Sequence, residues 1–545
     1  MTIAILRVFA PSRGRPSVLD FFALIDKNPV AKNSLRSYAY WLPPALAGLA
    51  LTFVYLNPFI GDWDGLDYTV ASLRGEPSSM ALGRALFTLT NHTLYAIAHK
   101  FFGLPPEHAY LVFKFAVVAQ MPLAIIACWV FTRHLTDSRE SATVAALLVA
   151  LSPMMVIYGG QVMTDVPSVF LTATALAIHV RGLQTKSTAL IFAGAIVLGL
   201  AVNMRETAGL YFSWLVVAPF VAGWKFERRT GTVVLASLLL FALFALGIFA
   251  LWYATHADYR ATWHVWAESS QNEAARHPLK LANLKPFLVY LFLASPLIFI
   301  ALPFAICREF RARRWSLLLL SALCGLCADA MLFFNYSTII NWRYFLTGLP
   351  AMAPVAGDFF FRSQTEKLRS PRRGLVTAIA GVVVIAVAMG FLFQPRSNEY
   401  LNRLALAKDY KVTLDLLPRD AVVIAGAQTV AVTYWRGIGT GQWEHIGTGA
   451  GFPAGKLQQK IEEYLRAGHR VFLDIDPRWW QPCSWQAAEI RELVSIEPHF
   501  HFKKVAPTVY EIQPVEDASA TDQPHLARLL PANRVEEVKK CFSAG

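Results

Sequence analysis

The stretch Gly61-Asp62-Trp63-Asp64-Gly65-Leu66-Asp67-Tyr68 follows the first long apolar segment directly, and it carries three carboxylates within six residues. Charge beside hydrocarbon is costly and is kept chiefly where it has a task. A carboxylate at such a place can take the proton from an attacking hydroxyl as a general base. Neighbouring acids can shape its proton affinity or hold a divalent ion. Asp64 is the leading candidate for the base, with Asp62 and Asp67 in the supporting roles. The competing structural use is a helix cap or a solvated interface.

Cations that could meet such a centre lie far away in the chain. Arg205 and Arg343 stand at the ends of apolar segments, where a guanidinium can hold phosphate oxygens in a two-pronged fork. Arginines there also reach to lipid headgroups with no specific role. Glu206, next to Arg205, is a ready neutraliser for it. Asp165 precedes Val-Pro and suits either a helix cap or a substrate contact. His92 and Tyr68 complete the set, His92 being equally readable as a structural interfacial histidine. Lys114 and Asp329 fall in or near apolar segments and could pair with each other.

The elements that must position these residues are membrane helices. The chain has 545 residues, is 55% hydrophobic and 16% charged, and has a mean hydropathy of +0.41, too apolar for a soluble protein of this size. Apolar segments near 39–59, 109–132, 141–158, 166–182, 187–203, 207–223, 232–254, 286–306, 315–335, 344–361 and 374–393 predict about eleven spans. The formal charge of +13 lies entirely before residue 395, because acids and bases balance after it. Arginines and lysines cluster at 133–139, 181–186, 225–229, 308–314 and 362–373, in alternate loops. That asymmetry reads as membrane topology, with those loops and the N-terminus cytoplasmic, and it gives no sign of nucleic-acid binding. No cleaved signal peptide is evident in the N-terminal residues.

The same reasoning puts loop 60–108 and everything after about 394 outside, so the carboxylates share a face with the tail. Within that loop, residues 81–102 have helical apolar spacing interrupted by Arg84, Asn91, His92, His99 and Lys100, which suits an amphipathic helix roofing the acids. The domain plan is a cytoplasmic segment 1–38, a transmembrane domain 39–394, an α/β domain 395–515 and a polar tail 516–545. In the α/β domain, 421–426, 470–476 and 508–512 read as strands and 455–467 as a helix, giving a parallel or mixed sheet. Gly437 to Gly451 reads as a flexible loop. Cys324-Gly-Leu-Cys327 is best explained as small residues in close helix packing, and Cys483 with Cys541 is a possible extracytoplasmic disulfide pair.

This arrangement resembles the GT-C superfamily of integral-membrane glycosyltransferases. The nearest branch holds the lipid A aminoarabinose transferases, the protein O-mannosyltransferases and enzymes with an RgtA/B/C/D-like domain. Besides the acidic loop, the resemblance rests on Leu151-Ser-Pro-Met-Met-Val-Ile-Tyr-Gly-Gly-Gln-Val-Met-Thr-Asp165-Val-Pro, on Leu198-Gly-Leu-Ala-Val-Asn-Met-Arg205-Glu206-Thr, and on Trp342-Arg343-Tyr344-Phe-Leu-Thr-Gly-Leu-Pro350. It covers roughly residues 40–395. One departure stands out: where the family often has Asp-Glu-x-x-Tyr, this chain has Asp64-Gly65-Leu66-Asp67-Tyr68, with Gly65 in place of the glutamate.

The resemblance implies an inverting glycosyltransferase of the cytoplasmic membrane, drawing a sugar from a polyprenyl-phosphate carrier and passing it to an envelope acceptor on the outer face. In that reading Asp64, Asp67 and Asp62 are catalytic, Arg343, Arg205, Asp165, His92 and Tyr68 bind substrate, and a divalent metal is an open option. A multi-pass transporter or lipid flippase, and a non-catalytic envelope scaffold, are the alternatives. A transporter calls for broken or ionisable segments at mid-membrane and for paired repeats, and no repeat is evident.

Overall fold

The computed structural model describes residues 34–515 except 62, 79, 262, 265–266, 268–280, 313–314, 336–341, 427, 448–455, 477–478 and 480–486, together with residue 526. The helical part begins with α1 (Ser34–Val54), α2 (Trp63–Arg74), α3 (Ala85–Phe102), α4 (Ala109–Thr136) and α5 (Arg139–Ala150). It continues through α6 (Pro153–Gly159), α7 (Asp165–Thr185), α8 (Thr188–Met204), α9 (Phe212–Val221) and α10 (Arg228–Thr255). The last helices of this part are α11 (Leu281–Ala294), α12 (Pro296–Arg311), α13 (Leu317–Asn335), α14 (Leu349–Leu368) and α15 (Pro371–Asp415).

Among the described residues, five helices are long and apolar enough to cross a membrane, or up to seven if each of two bent pairs is one span. Three shorter apolar helices, Tyr40–Val54, Thr188–Met204 and Glu206–Val221, accompany them. The bent pairs are α5 with α6, at 61°, and α11 with α12, at 114°. Pro153 and Pro296 start the second helix of each pair, because proline lacks the N–H needed to continue a helix and drives the preceding residue out of helical backbone. The single span expected near 286–306 is therefore two helices meeting at Ser295. The two breaks face each other: Ser152 Oγ donates to Ser295 Oγ at 2.8 Å.

Small residues let the helices close up. A Cβ on Gly325 would stand 2.7 Å from the Gly348 carbonyl oxygen, so in the Cys-Gly-Leu-Cys segment of α13 it is the glycine that packs against the start of α14, while Cys327 is exposed. Lys114 and Asp329 do not pair. The Lys114 ammonium donates to the Asn57 carbonyl at 2.6 Å, and Asp329 accepts from the Gly348 N–H at 2.8 Å. Asp358, about 15 Å along α14 from Gly348 by helix rise, binds Ser141 (2.8 Å), Arg308 (2.7 Å) and Arg362 (2.9 Å) and ties together the other end of the bundle.

The tail is a five-stranded mixed sheet. Its elements are β1 (Val422–Ala425), α16 (Thr429–Gly437), β2 (Glu444–Gly447), α17 (Leu457–Arg466), β3 (Val471–Asp474), α18 (Ala487–Ser495), β4 (Phe500–Lys504) and β5 (Val509–Pro514). The strand order is β2-β1-β3-β5-β4, with β1 parallel to both β2 and β3 and β5 antiparallel to both β3 and β4. Four elements of the tail lie outside the sequence reading: α16, β2, α18 and β4. The stretch from Gly437 to Gly451, read as a flexible loop, contains β2, and Trp443 just before that strand is buried against Gly441. Cys483, Cys541 and most of 516–533 lie outside the described residues.

Candidate functional site

The loop between α1 and α4 holds two helices where sequence spacing predicts one. α2 is bracketed by Gly61 (φ +107°) and Gly75 (φ +70°), both in left-handed backbone open mainly to glycine. This bracket puts Asp64 in the first turn of α2, where the helix dipole favours an anion. Tyr68, one turn on and buried, brings its hydroxyl to 3.5 Å from Asp64 Oδ2.

Three guanidiniums gather there from three parts of the chain. Arg343, on a 3-10 turn at Trp342–Leu346, hydrogen-bonds Asp64 through Nη2. Arg84 stands 3.8 Å from the same carboxylate and forks onto Glu206 with two bonds of 3.1 Å. Arg205, in extended backbone just after α8, hydrogen-bonds Asp165 at the start of α7. Tyr344 lies between two of them, its ring centre 5.0 Å from the Arg205 and 5.5 Å from the Arg343 guanidinium carbon, while Arg84 sits 5.2 Å above the Tyr68 ring.

Arg84 and Glu206 are the site residues that sequence reasoning missed as a pair. Glu206 neutralises Arg84, not its neighbour Arg205. Arg84 closes a turn in which Leu82 (φ 50°), Gly83 (φ 68°) and Arg84 (φ 43°) are all left-handed. Non-glycine residues there are held against a steric cost, which the surroundings must supply. Ser78 donates to the Gly83 carbonyl at 2.7 Å, and Tyr259 closes over Gly83, leaving no room for a Cβ. The interrupted helical spacing around Arg84 was the one visible signal.

The electrostatics follow from this crowding. Burial pushes the Asp64 carboxyl up, but the charges of Arg343, Arg84 and Arg205, with the Arg343 hydrogen bond, outweigh it and hold the group below the usual carboxylate range. Asp64 is therefore ionised at neutral pH. Arg205 keeps Nε and Nη2 buried with no hydrogen-bond partner among the described residues, as Asp165 keeps Oδ2. These groups face a crevice lined by Asp165, Ser168, Thr172, Arg205 and Thr347, with room for about one water.

The other expected residues are placed as follows. Asp67 is half-buried on α2, one turn from Asp64. Asp62 lies outside the described residues. His92 is at the far end of α2, its Nδ1 2.9 Å from the Ser72 carbonyl, so it links α3 to α2 away from the guanidiniums. Among the described residues no group of three or more His, Cys, Asp or Glu could hold a metal ion. The acids at this end, Asp64, Asp165 and Glu206, each face an arginine.

Residues 84–253, which include Arg84, Asp165, Arg205 and Glu206, match the family described as dolichyl-phosphate-mannose-protein mannosyltransferase. No curated protein matches the chain in sequence. ArnT from Cupriavidus metallidurans, solved bound to undecaprenyl phosphate, has a TM-score of 0.58 at 12% identity, covering 89% of this chain and 100% of its own. The oligosaccharyltransferase AglB from Archaeoglobus fulgidus, solved with an inhibitory peptide and a dolichol-phosphate, has a TM-score of 0.52 at 12% identity, covering 92% of this chain and 77% of its own. The matched segment is less than a third of the chain, and what the chain shares with the two solved structures is their fold.

Proposed function

We propose that the protein is an inverting glycosyltransferase that moves a sugar from a polyprenyl-phosphate carrier to an envelope acceptor at the outer face of the cytoplasmic membrane. The observation that carries this reading is the meeting of Asp64 with Arg343 and Arg84 at one end of the bundle, with Arg205 and its unshared donors close by. The polyprenyl phosphates bound in ArnT and AglB support it. So does an apolar groove of about 480 Å³ along α11, lined by Leu284, Leu288, Val289, Phe292 and Phe299 with Lys285 at its edge, which suits an isoprenoid chain. The clustering of basic residues at the end opposite Asp64 supports the orientation.

In this mechanism the acceptor oxygen forms a bond to the anomeric carbon as the bond from that carbon to the phosphate oxygen breaks, and one displacement inverts the centre. The acceptor proton passes to Asp64. The electron pair of the broken bond leaves on the lipid phosphate, where the guanidiniums of Arg343, Arg205 and Arg84 stabilise the added charge. Before substrate arrives, Arg343 is spent on Asp64. A donor phosphate competes for that guanidinium, which relieves the positive field on Asp64 and raises its proton affinity when a base is needed. Among the described residues no cluster of acids, histidines or cysteines suits a metal centre, and no step uses one.

The test is purified protein with a panel of polyprenyl-phosphate sugars, reading release of lipid phosphate. Asp64→Asn should lower turnover by roughly 10²–10⁴-fold, the range for a general base, with donor binding kept. Full activity in that variant would sink the assignment. The two broken helix pairs are what a transporter would also have, but they meet through two serines, and no ionisable residue stands in either break.

A further inference from the structure

We infer that the α/β domain is the brace that sets the position of the Asp64 helix, with Trp435 and Gly437 of α16 as positioning residues. The role rests on the reading of Asp64 as the base, whereas the contacts stand on geometry alone.

The junction forms on both sides of Asp64. Phe59, buried just before α2, sits in an aromatic box: Tyr110 of α4 meets it edge-on at 4.9 Å, Tyr434 edge-on at 5.6 Å, and Trp435 stacks on it at 6.0 Å and 12°. Such pairs prefer defined offsets and angles, so the box fixes orientation as well as distance. Six residues beyond Asp64, Val70 touches α16: a Cβ on Gly437 would stand 2.8 Å from both Val70 γ carbons. α16 is itself anchored to α15. Trp435 Nε1 donates to the Ala407 carbonyl at 2.8 Å, and the Lys411 ammonium lies 5.7 Å from the Trp435 ring and 5.5 Å from that of Trp443. A membrane-rooted helix therefore holds α16, and α16 grips α2 on either side of its reactive turn.

The bundle grips α2 elsewhere, through Arg343 at Asp64 and His92 at Ser72. Arg343 is the contact that a donor phosphate contests, so once Arg343 turns to the phosphate the junction with α16 joins Arg84, the Val162–Ile60 bond and His92 in holding the Asp64 helix. This assigns the domain a part in the chemical step.

Gly437→Ala tests it. Gly437 is not in left-handed backbone, so alanine meets no main-chain penalty, only Val70, whose branched side chain is stiff at χ1. Relieving the clash requires a shift of α2 of nearly an ångström, and a misplacement of that size costs on the order of a hundredfold in turnover. We expect turnover to fall by that factor with donor affinity unchanged, amide exchange of residues 64–74 to quicken while α4 and β1 stay protected, and Val70→Ala added to Gly437→Ala to restore both. Unchanged exchange in α2, or exchange that quickens equally in α4 and β1, or no recovery in the double variant, overturns the proposal. The exchange measurement needs no substrate. A normal exchange response with no turnover from any donor would count against the glycosyltransferase reading and leave the brace standing.

Discussion

A Cβ placed on Gly65 would lie 2.8 Å from the carbonyl oxygen of Val162. Main chain therefore fills the place where the resembling enzymes often carry a glutamate. The Val162 N–H donates to the Ile60 carbonyl at 2.9 Å, so the segment before α7 is laced to the entry of α2 and cannot retreat. The glycine is a packing requirement of this chain, and the second carboxylate is excluded sterically at that position.

Gly65→Ala should accordingly destabilise the protein by about 1–3 kcal/mol, the usual range for overpacking, and reduce turnover along with it. Thermal unfolding in detergent, compared with wild type at one scan rate, measures the first. An unchanged midpoint with unchanged turnover would show that the two segments separate freely.

The Arg84–Glu206 pair should behave as one unit. Its side chains are 3% and 14% exposed, and breaking a buried pair by removing one partner costs about 3–5 kcal/mol because the other charge is stranded. Arg84→Ala, Glu206→Ala and the double variant should therefore show strong non-additivity in a double-mutant cycle on stability. Additive effects would mean that Arg84 is held by its left-handed turn alone.

Arg343→Lys keeps the charge and loses the planar fork, whereas Arg343→Ala loses both. Turnover should order wild type, lysine, alanine, with alanine down by roughly 10²–10³-fold, the scale of removing one charge-stabilising donor. Equal loss in both variants would assign Arg343 a purely geometric role, and no loss would remove it from the site.

The Asp64 carboxyl is held below the usual range, so its contribution to stability is present above the unfolded carboxylate pKa of about 3.9 and is lost as pH falls through the lower folded value. Stability from this group should be flat across neutral pH and decline only in strong acid. Arg343→Ala weakens the field that lowers the group, so the part of the acid-induced decline that comes from Asp64 should be smaller in that variant. Acid unfolding curves of the two proteins check the sign.

With guanidiniums facing Asp64, Asp165 and Glu206, positive charge for the leaving phosphate is already at hand. Chelators should leave turnover unchanged, and added divalent cations should not raise it. Loss of activity on chelation with recovery on adding back one metal would implicate Asp62 or Asp67 as ligands.

Much was legible from residue order alone. Long apolar runs and alternating basic clusters specify a helical membrane protein, because no other structure satisfies the backbone in lipid. Alternating short strands and one amphipathic helix specify the α/β tail, and acids beside a span mark the candidate centre through the cost of placing them there. Pairing was not legible. Asp64 meets Arg343 across 279 positions and Arg84 meets Glu206 across 122, and local periodicity says nothing about partners so distant. Composition implied that Arg205 belonged to Glu206, but packing gave it to Asp165, since α7 and α8 lie side by side and the extended residue after α8 turns Arg205 toward the start of α7. The tertiary structure alone also decided that α2 is a helix, through left-handed glycines at both its ends, that 286–306 is broken, and that the tail presses on the Asp64 helix. Propensity is a local quantity. A site assembled from three loops and a second domain is set by which surfaces exclude water and neutralise one another's charge.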